Sequence, residues 1–320
     1  MAAAFSRGVQ KPKRTEEGNL NQTMDSIRKR GARNFIIFHP SDFSKASELA
    51  FGHALKVALQ SKGKLDIMHV EAHLKPDKVY WLDFPAVRAT LARWGILPKD
   101  VRREEVVKAG LRIRKILKSG ADPVESMLRH LHKFPADLIV LATHQREGLD
   151  RWLHKAVAEP LARRSGAMTL FIPHKGTGFV SPNDGSVSLN RILVPIDHDP
   201  DPQTALEKAL LLARGLNCAT GEFRLIHVTP NSKKAPVLDL PLGRGWSFET
   251  IVRRGQVVDE ILELEADWHP DLMVMATQGH VDFLDALRGS TTERVLRAVH
   301  CPVLAVPTTT PQQLIGYRQG

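Results

Sequence analysis

Little in this 320-residue chain suits an exported or membrane-spanning protein. It has two cysteines, Cys218 and Cys301, too few for a disulfide framework, which fits a reducing cytoplasm. No apolar run approaches the length of a bilayer span, and the opening residues lack the apolar core of a signal peptide. The expected location is therefore cytoplasmic. Aromatics make up only 6% of the residues. No Gly-x-Ser-x-Gly elbow and no Walker loop ending in Gly-Lys-Ser/Thr occurs, and neither cysteine stands beside an obvious base. The expectation is a binding protein with no catalytic residues, at most a slow ATPase.

What is abundant is positive charge, a formal +10, and its distribution is uneven. Residues 1–33 hold eight cations against Glu16, Glu17 and Asp25, a net +5 in a tenth of the length. That composition reads as a basic flexible arm, a solvated tail in the preferred reading, with contact to acidic surfaces as the sharper alternative and nucleic acid not expected as the main partner.

From Phe35 onward the chain repeats itself. Phe35-Ile36-Ile37-Phe38 and Ile192-Leu193-Val194-Pro195-Ile196 are buried strands that run into Asp42 and Asp197, and helices with apolar spacing of three and four follow. Asp42 and Asp197 are 155 residues apart, and His69 and His227 are 158 apart. The pairs Asp137/Asp271, Ala142/Ala276, Glu159/Glu293 and Pro173/Pro307 are separated by 134. The first copy therefore carries 24 extra residues, within 71–105, which include Tyr80, Trp81, Phe84 and Trp94. Strands alternating with helices argue an α/β fold with parallel sheets. The expected domains are 34–175, a linker 176–188, and 189–308, followed by a tail 309–320. His69 and His227 read as structural.

The richest stretch is 273–307. The apolar run Leu272–Ala276 ends in Thr277-Gln278-Gly279-His280; Gly289-Ser290-Thr291 then precedes a helix, and Val303–Val306 forms a further strand. Glycines let a ligand approach the backbone, and a helix start offers unpaired N–H groups to phosphate oxygens. The plainer alternative is a loop glycine with Ser290 as an ordinary N-cap.

Ala276-x-x-Gly279, nine residues, then Gly289-Ser290 resembles the nucleotide-binding loop of the universal stress protein family, with Ala276 in place of the usual first glycine. Ile192–Asp197, Leu225–Val228, Asp271–Met275 and Cys301–Val306 resemble its first, second, fourth and fifth strands. The resemblance implies two tandem doubly wound parallel-sheet domains of the universal stress protein and adenine nucleotide alpha hydrolase-like type, each with strand order 3-2-1-4-5. It also implies an intramolecular pseudo-dimer, with Val303–Val306 beside Thr169–Ile172. It further implies an ATP or related adenine-nucleotide site, with Mg²⁺. Ile196 and Asp197 would line the nucleotide, and Val228 would meet the adenine edge. Ala276, Gln278 and Gly279 would border ribose and phosphates, and Gly289, Ser290 and Thr291 would hold the phosphates. Asp197 could instead be a helix cap.

The first copy reads Ala142-Thr143-His144-Gln145 and Lys155-Ala156 at these places, which removes the cradle and marks a degenerate, non-nucleotide copy. Its aromatic insert would cover an apolar pocket or pack on the second half, and packing is the reading taken. His198, Asp199 and His280 are weak metal candidates, alternatively solvated loop groups. A second reading of the whole is a scaffold or carrier for a small apolar ligand or a metal ion. Further homodimerisation stays open.

Overall fold

The computed structural model describes residues 35–75, 77–100, 102–143, 154–173, 176, 178–229, 234–240, 245–277 and 291–308. The basic segment 1–33 lies outside them. In chain order come β1 (Ile36–Pro40), α1 (Lys45–Gln60), β2 (Lys64–Glu71) and a 3₁₀ turn (Tyr80–Leu82). Helices α2 (Val87–Arg93) and α3 (Arg103–Lys108) then lead to β3 (Arg112–Ser119), α4 (Pro123–Lys133), β4 (Leu138–Thr143), α5 (His154–Ser165) and β5 (Met168–Pro173). The second half supplies β6 (Arg191–Pro195), α6 (Pro202–Gly215), β7 (Gly221–Val228) and β8 (Trp246–Arg253). It closes with α7 (Val257–Trp268), β9 (Leu272–Thr277), α8 (Thr291–Ala298) and β10 (Val303–Pro307).

The described strands form one sheet in the order β3-β2-β1-β4-β5-β10-β9-β6-β7-β8. Each half thus has the order 3-2-1-4-5, parallel throughout. The halves meet where β10 runs antiparallel to β5, Val303 opposite Phe171 and Ala305 opposite Thr169. Open strand edges at this seam are satisfied by each other, which is why two copies make one continuous sheet. The central strands are apolar on both faces, as a sheet covered on both sides requires. Residues of α1 and α6 join the core cluster on one face. Those of α4, α5, α7 and α8 join the cluster on the other.

The repeat extends to individual hydrogen bonds. Asp137 accepts from Ile36 N (2.8 Å) and Asp271 accepts from Arg191 N (2.8 Å), each carboxylate tying its fourth strand to its first. His69 Nδ1 donates to Ser41 O (2.7 Å), and His227 Nδ1 to Ile196 O (3.1 Å), at equivalent positions. Helix α1 is capped by Ser44, whose hydroxyl accepts from Ser47 N (3.1 Å).

The segment joining the halves is fastened down. His53, in the middle of α1, donates from Nδ1 to Leu49 O (2.9 Å). Its Nε2 accepts from Phe179 N (3.1 Å) and Val180 N (3.2 Å). Burial lowers its pKa from 6.5 to about 4, despite the opposing carbonyl of Leu49, so the ring is neutral and keeps the acceptor lone pair. Gly178 has φ +66°, and a Cβ there would stand 2.3 Å from the His53 ring. Only glycine satisfies both constraints at once. Trp94 Nε1 donates to Pro182 O (3.2 Å). The aromatic insert therefore packs on the connecting segment and on its own half: Phe84 meets Phe43 edge-on at 5.2 Å.

Candidate functional site

In an open parallel sheet, ligands bind beyond the carboxyl ends of strands where the winding reverses. In the second half that point is the end of β6, whose neighbours are β7 on one side and β9 on the other. The chain leaves β6 through Ile196, held by its N–H to Ile226 O (2.8 Å), and then Asp197. Ile196 is buried, while the Asp197 side chain is 64% exposed. Its Oδ1 accepts from His198 N (2.8 Å). Asp197 is not the helix cap, because α6 starts five residues later and Asp201 caps it, accepting from Gln203 N (3.1 Å). An exposed carboxylate thus stands at the winding reversal.

Val228 ends β7 and Ala276 lies one residue from the end of β9, so the described site positions close around the end of β6. Val228 and Met275 join one apolar cluster with Val295 and Val299 from α8 and the residue after it. That packing holds the helix that begins at Thr291. Thr277 O accepts from Thr308 N (2.9 Å), fixing the far end of β9 against the strand beside it. Gln278, Gly279, His280, Gly289 and Ser290 lie outside the described residues.

His227, expected to be structural, stands beside the end of β7. Its Nδ1 is engaged with Ile196 O and lies 3.9 Å from Asp197 Oδ1. Its buried Nε2 has no hydrogen-bond partner among the described residues. Its ring meets that of His198 edge-on at 5.9 Å. His198 Nε2 in turn donates to Lys234 O (3.0 Å). His227 is one residue from the strand end that carries Val228. Among the described residues no group of three or more His, Cys, Asp or Glu side chains is placed to hold a metal ion.

The corresponding place in the first half is the end of β1. There Asp42 Oδ1 accepts from Ser44 N (3.0 Å), and a cavity of about 50 Å³ is lined by Asp42, Ser47, Leu141, Ala142 and Val157 among others. This volume is room for a water or two. Next to it, beyond the ends of β2 and β3, lies a larger cavity of about 720 Å³, lined largely by apolar side chains such as Val70, Val124, Val157 and Pro160.

The model of a known family, the universal stress protein family, matches residues 36–173 and 242–307, more than half of the chain. A curated universal stress protein from Methanocaldococcus jannaschii is 39% identical over 62 residues, 19% of this chain; the chain spans 36% of that relative's length. Among solved structures, a universal stress protein from Archaeoglobus fulgidus is similar with a TM-score of 0.54 and 19% identity, covering 86% of this chain and 98% of that one. A putative universal stress protein from Pseudomonas aeruginosa gives 0.55 and 12%, covering 86% and 93%. At such identities the structural likeness concerns the fold.

Proposed function

Since the chain belongs to the universal stress protein family, we propose that it is a tandem member whose second half binds ATP or a related adenine nucleotide, with Mg²⁺. In this reading, 34–175 and 189–308 are the two domains, 176–188 joins them, and occupancy of the second site is reported through contacts with other proteins. The observation that carries it is the exposed Asp197 carboxylate at the winding reversal, between the strand ends that bear Val228 and Ala276. A carboxylate there suits ribose hydroxyls or a phosphate-bound Mg²⁺. Gly289, Ser290 and the helix start at Thr291 would supply N–H and hydroxyl donors to the phosphates. Catalysis is not part of the proposal beyond slow hydrolysis.

Calorimetry of the full chain with ATP and Mg²⁺ tests this. The expected result is one site per chain, weakened about tenfold or more in a Gly289→Lys/Ser290→Ala variant that copies the first half, and weakened in Asp197→Asn. Equal binding by the Gly289→Lys/Ser290→Ala variant would remove the site assignment, and no heat with any adenine nucleotide would remove the function.

The 720 Å³ cavity of the first half favours a second reading, a carrier of a small, largely apolar molecule. Native mass spectrometry of untreated protein separates the two: a co-purified apolar ligand without nucleotide supports the carrier.

A further inference from the structure

We propose that the turn inserted in the first half, together with the edge strand β3, docks the protein on an anionic lipid bilayer. Tyr80 and Phe84 anchor the turn: both are buried, Tyr80 Oη accepts from Lys75 N (3.0 Å), and Phe84 packs on Phe43. Between and beside these anchors Val79, Trp81 and Leu82 face solvent at 58%, 54% and 82% exposure. An apolar tip held outward by buried neighbours is a built feature, and leaving three large apolar side chains in water is unfavourable unless something covers them.

The charge around the tip selects the cover. Trp81 stacks on Phe84 at 5.4 Å, and Lys115 Nζ lies 5.6 Å from the other ring's centroid, that of Phe84. Strand β3 is the outermost strand of its half, and of its four cations Lys115 lies on the face of the tip, whereas Arg112, Arg114 and Lys118 alternate onto the opposite face. Arg114 is held by Asp66, and Lys78 by Asp83 (3.1 Å). Glu71 stands 3.6 Å from His69, and Asp77 precedes Lys78 in the chain. Burial and the nearby like charge of Arg88 both lower the Lys115 pKa, so an incoming anion would relieve rather than oppose the local field.

Trp and aliphatic tips ringed by lysine are what a bilayer interface accommodates: hydrocarbon for the tip, anionic headgroups for the rim. A nucleic acid would meet the cations but has nothing for Leu82 and Val79. The chain's net charge of +10 draws it to an anionic surface from a distance. No helix among the described residues is long and apolar enough to cross a membrane, so the contact would be superficial.

The test is co-sedimentation of the full chain, without nucleotide, with vesicles of phosphatidylglycerol and phosphatidylcholine against phosphatidylcholine alone. Binding to the anionic vesicles only, reduced by salt, is expected. A Trp81→Ser/Leu82→Ser variant should lose about tenfold in partitioning, and Lys115→Gln should weaken binding as well. Trp81 and Leu82 are exposed and Lys115 is half-buried, and circular dichroism checks that the fold is kept. Trp81→Phe should bind but lose the fluorescence quenching that brominated lipid produces in the unaltered chain. Wild-type protein left in the supernatant at low salt overturns the proposal. So does a Trp81→Ser/Leu82→Ser variant that sediments like the wild type, since charge alone would then hold the protein. A loss by that variant of retention on immobilised RNA or on a protein partner, with vesicle binding intact, overturns it too.

Discussion

Replacing His53 by leucine separates two contributions that the structure assigns to one ring. At neutral pH the variant leaves Phe179 N and Val180 N without their acceptor, which costs about 1–3 kcal/mol for each buried group. The second effect is on pH dependence. The unfolded chain protonates this histidine near 6.5, the folded one only near 4. Between those values the unfolded state binds more protons, so stability falls as the pH is lowered and is complete only above 6.5. A shift of this size corresponds to roughly 3 kcal/mol, at about 1.4 kcal/mol for each pH unit. His39, buried with its Nδ1 donating to Val140 O (2.9 Å), has its pKa lowered by burial to about 4 as well and should add a similar dependence. The assay is urea unfolding at several pH values from 7.5 to 4.5, followed by tryptophan fluorescence. Trp94 packs on the connecting segment and reports its release. His53→Leu should be less stable at pH 7.5 and show about half the wild-type slope below pH 6.5. A variant with the full wild-type slope would refute the reasoning, because the acid sensitivity would then lie elsewhere.

Glu265, buried in α7, accepts from His300 N and Cys301 N (both 3.1 Å) and so fixes the entry to β10. Glu265→Ala should lower stability by about 2–4 kcal/mol in urea unfolding, whereas a loss below about 0.5 kcal/mol would show that water replaces the carboxylate without penalty. Burial, then the negative charge of Glu265, raises the Cys301 thiol well above its ordinary pKa, and burial raises Cys218 less strongly. Neither should alkylate quickly with iodoacetamide at pH 7 in the native protein, and both should in urea; rapid native labelling of Cys301 would contradict its placement.

The fold was legible because its signals are local and periodic. Buried central strands show as short apolar runs, helices show spacing of three and four, and duplication lets each copy check the other. The strand ends Ile196, Asp197, Val228 and Ala276 could be placed from the same pattern, since a residue that follows a buried strand in such a sheet faces the crevice. The edge strands were not legible. Arg112–Ser119, with four cations in eight residues, lacks the apolar signature, because an outermost strand is not packed on both faces and tolerates charge. Nor did composition reveal that the Gly-, Pro- and Ser-rich connection is held by His53, which lies 126 residues from Phe179. His227 is the clearest division between the two sources. Its sequence position puts it at a strand end, but only the folded chain brings its ring beside His198 and Asp197. Sequence determines what each element buries; which loops then share one crevice follows from strand order and register, and these depend on contacts between residues far apart in the chain.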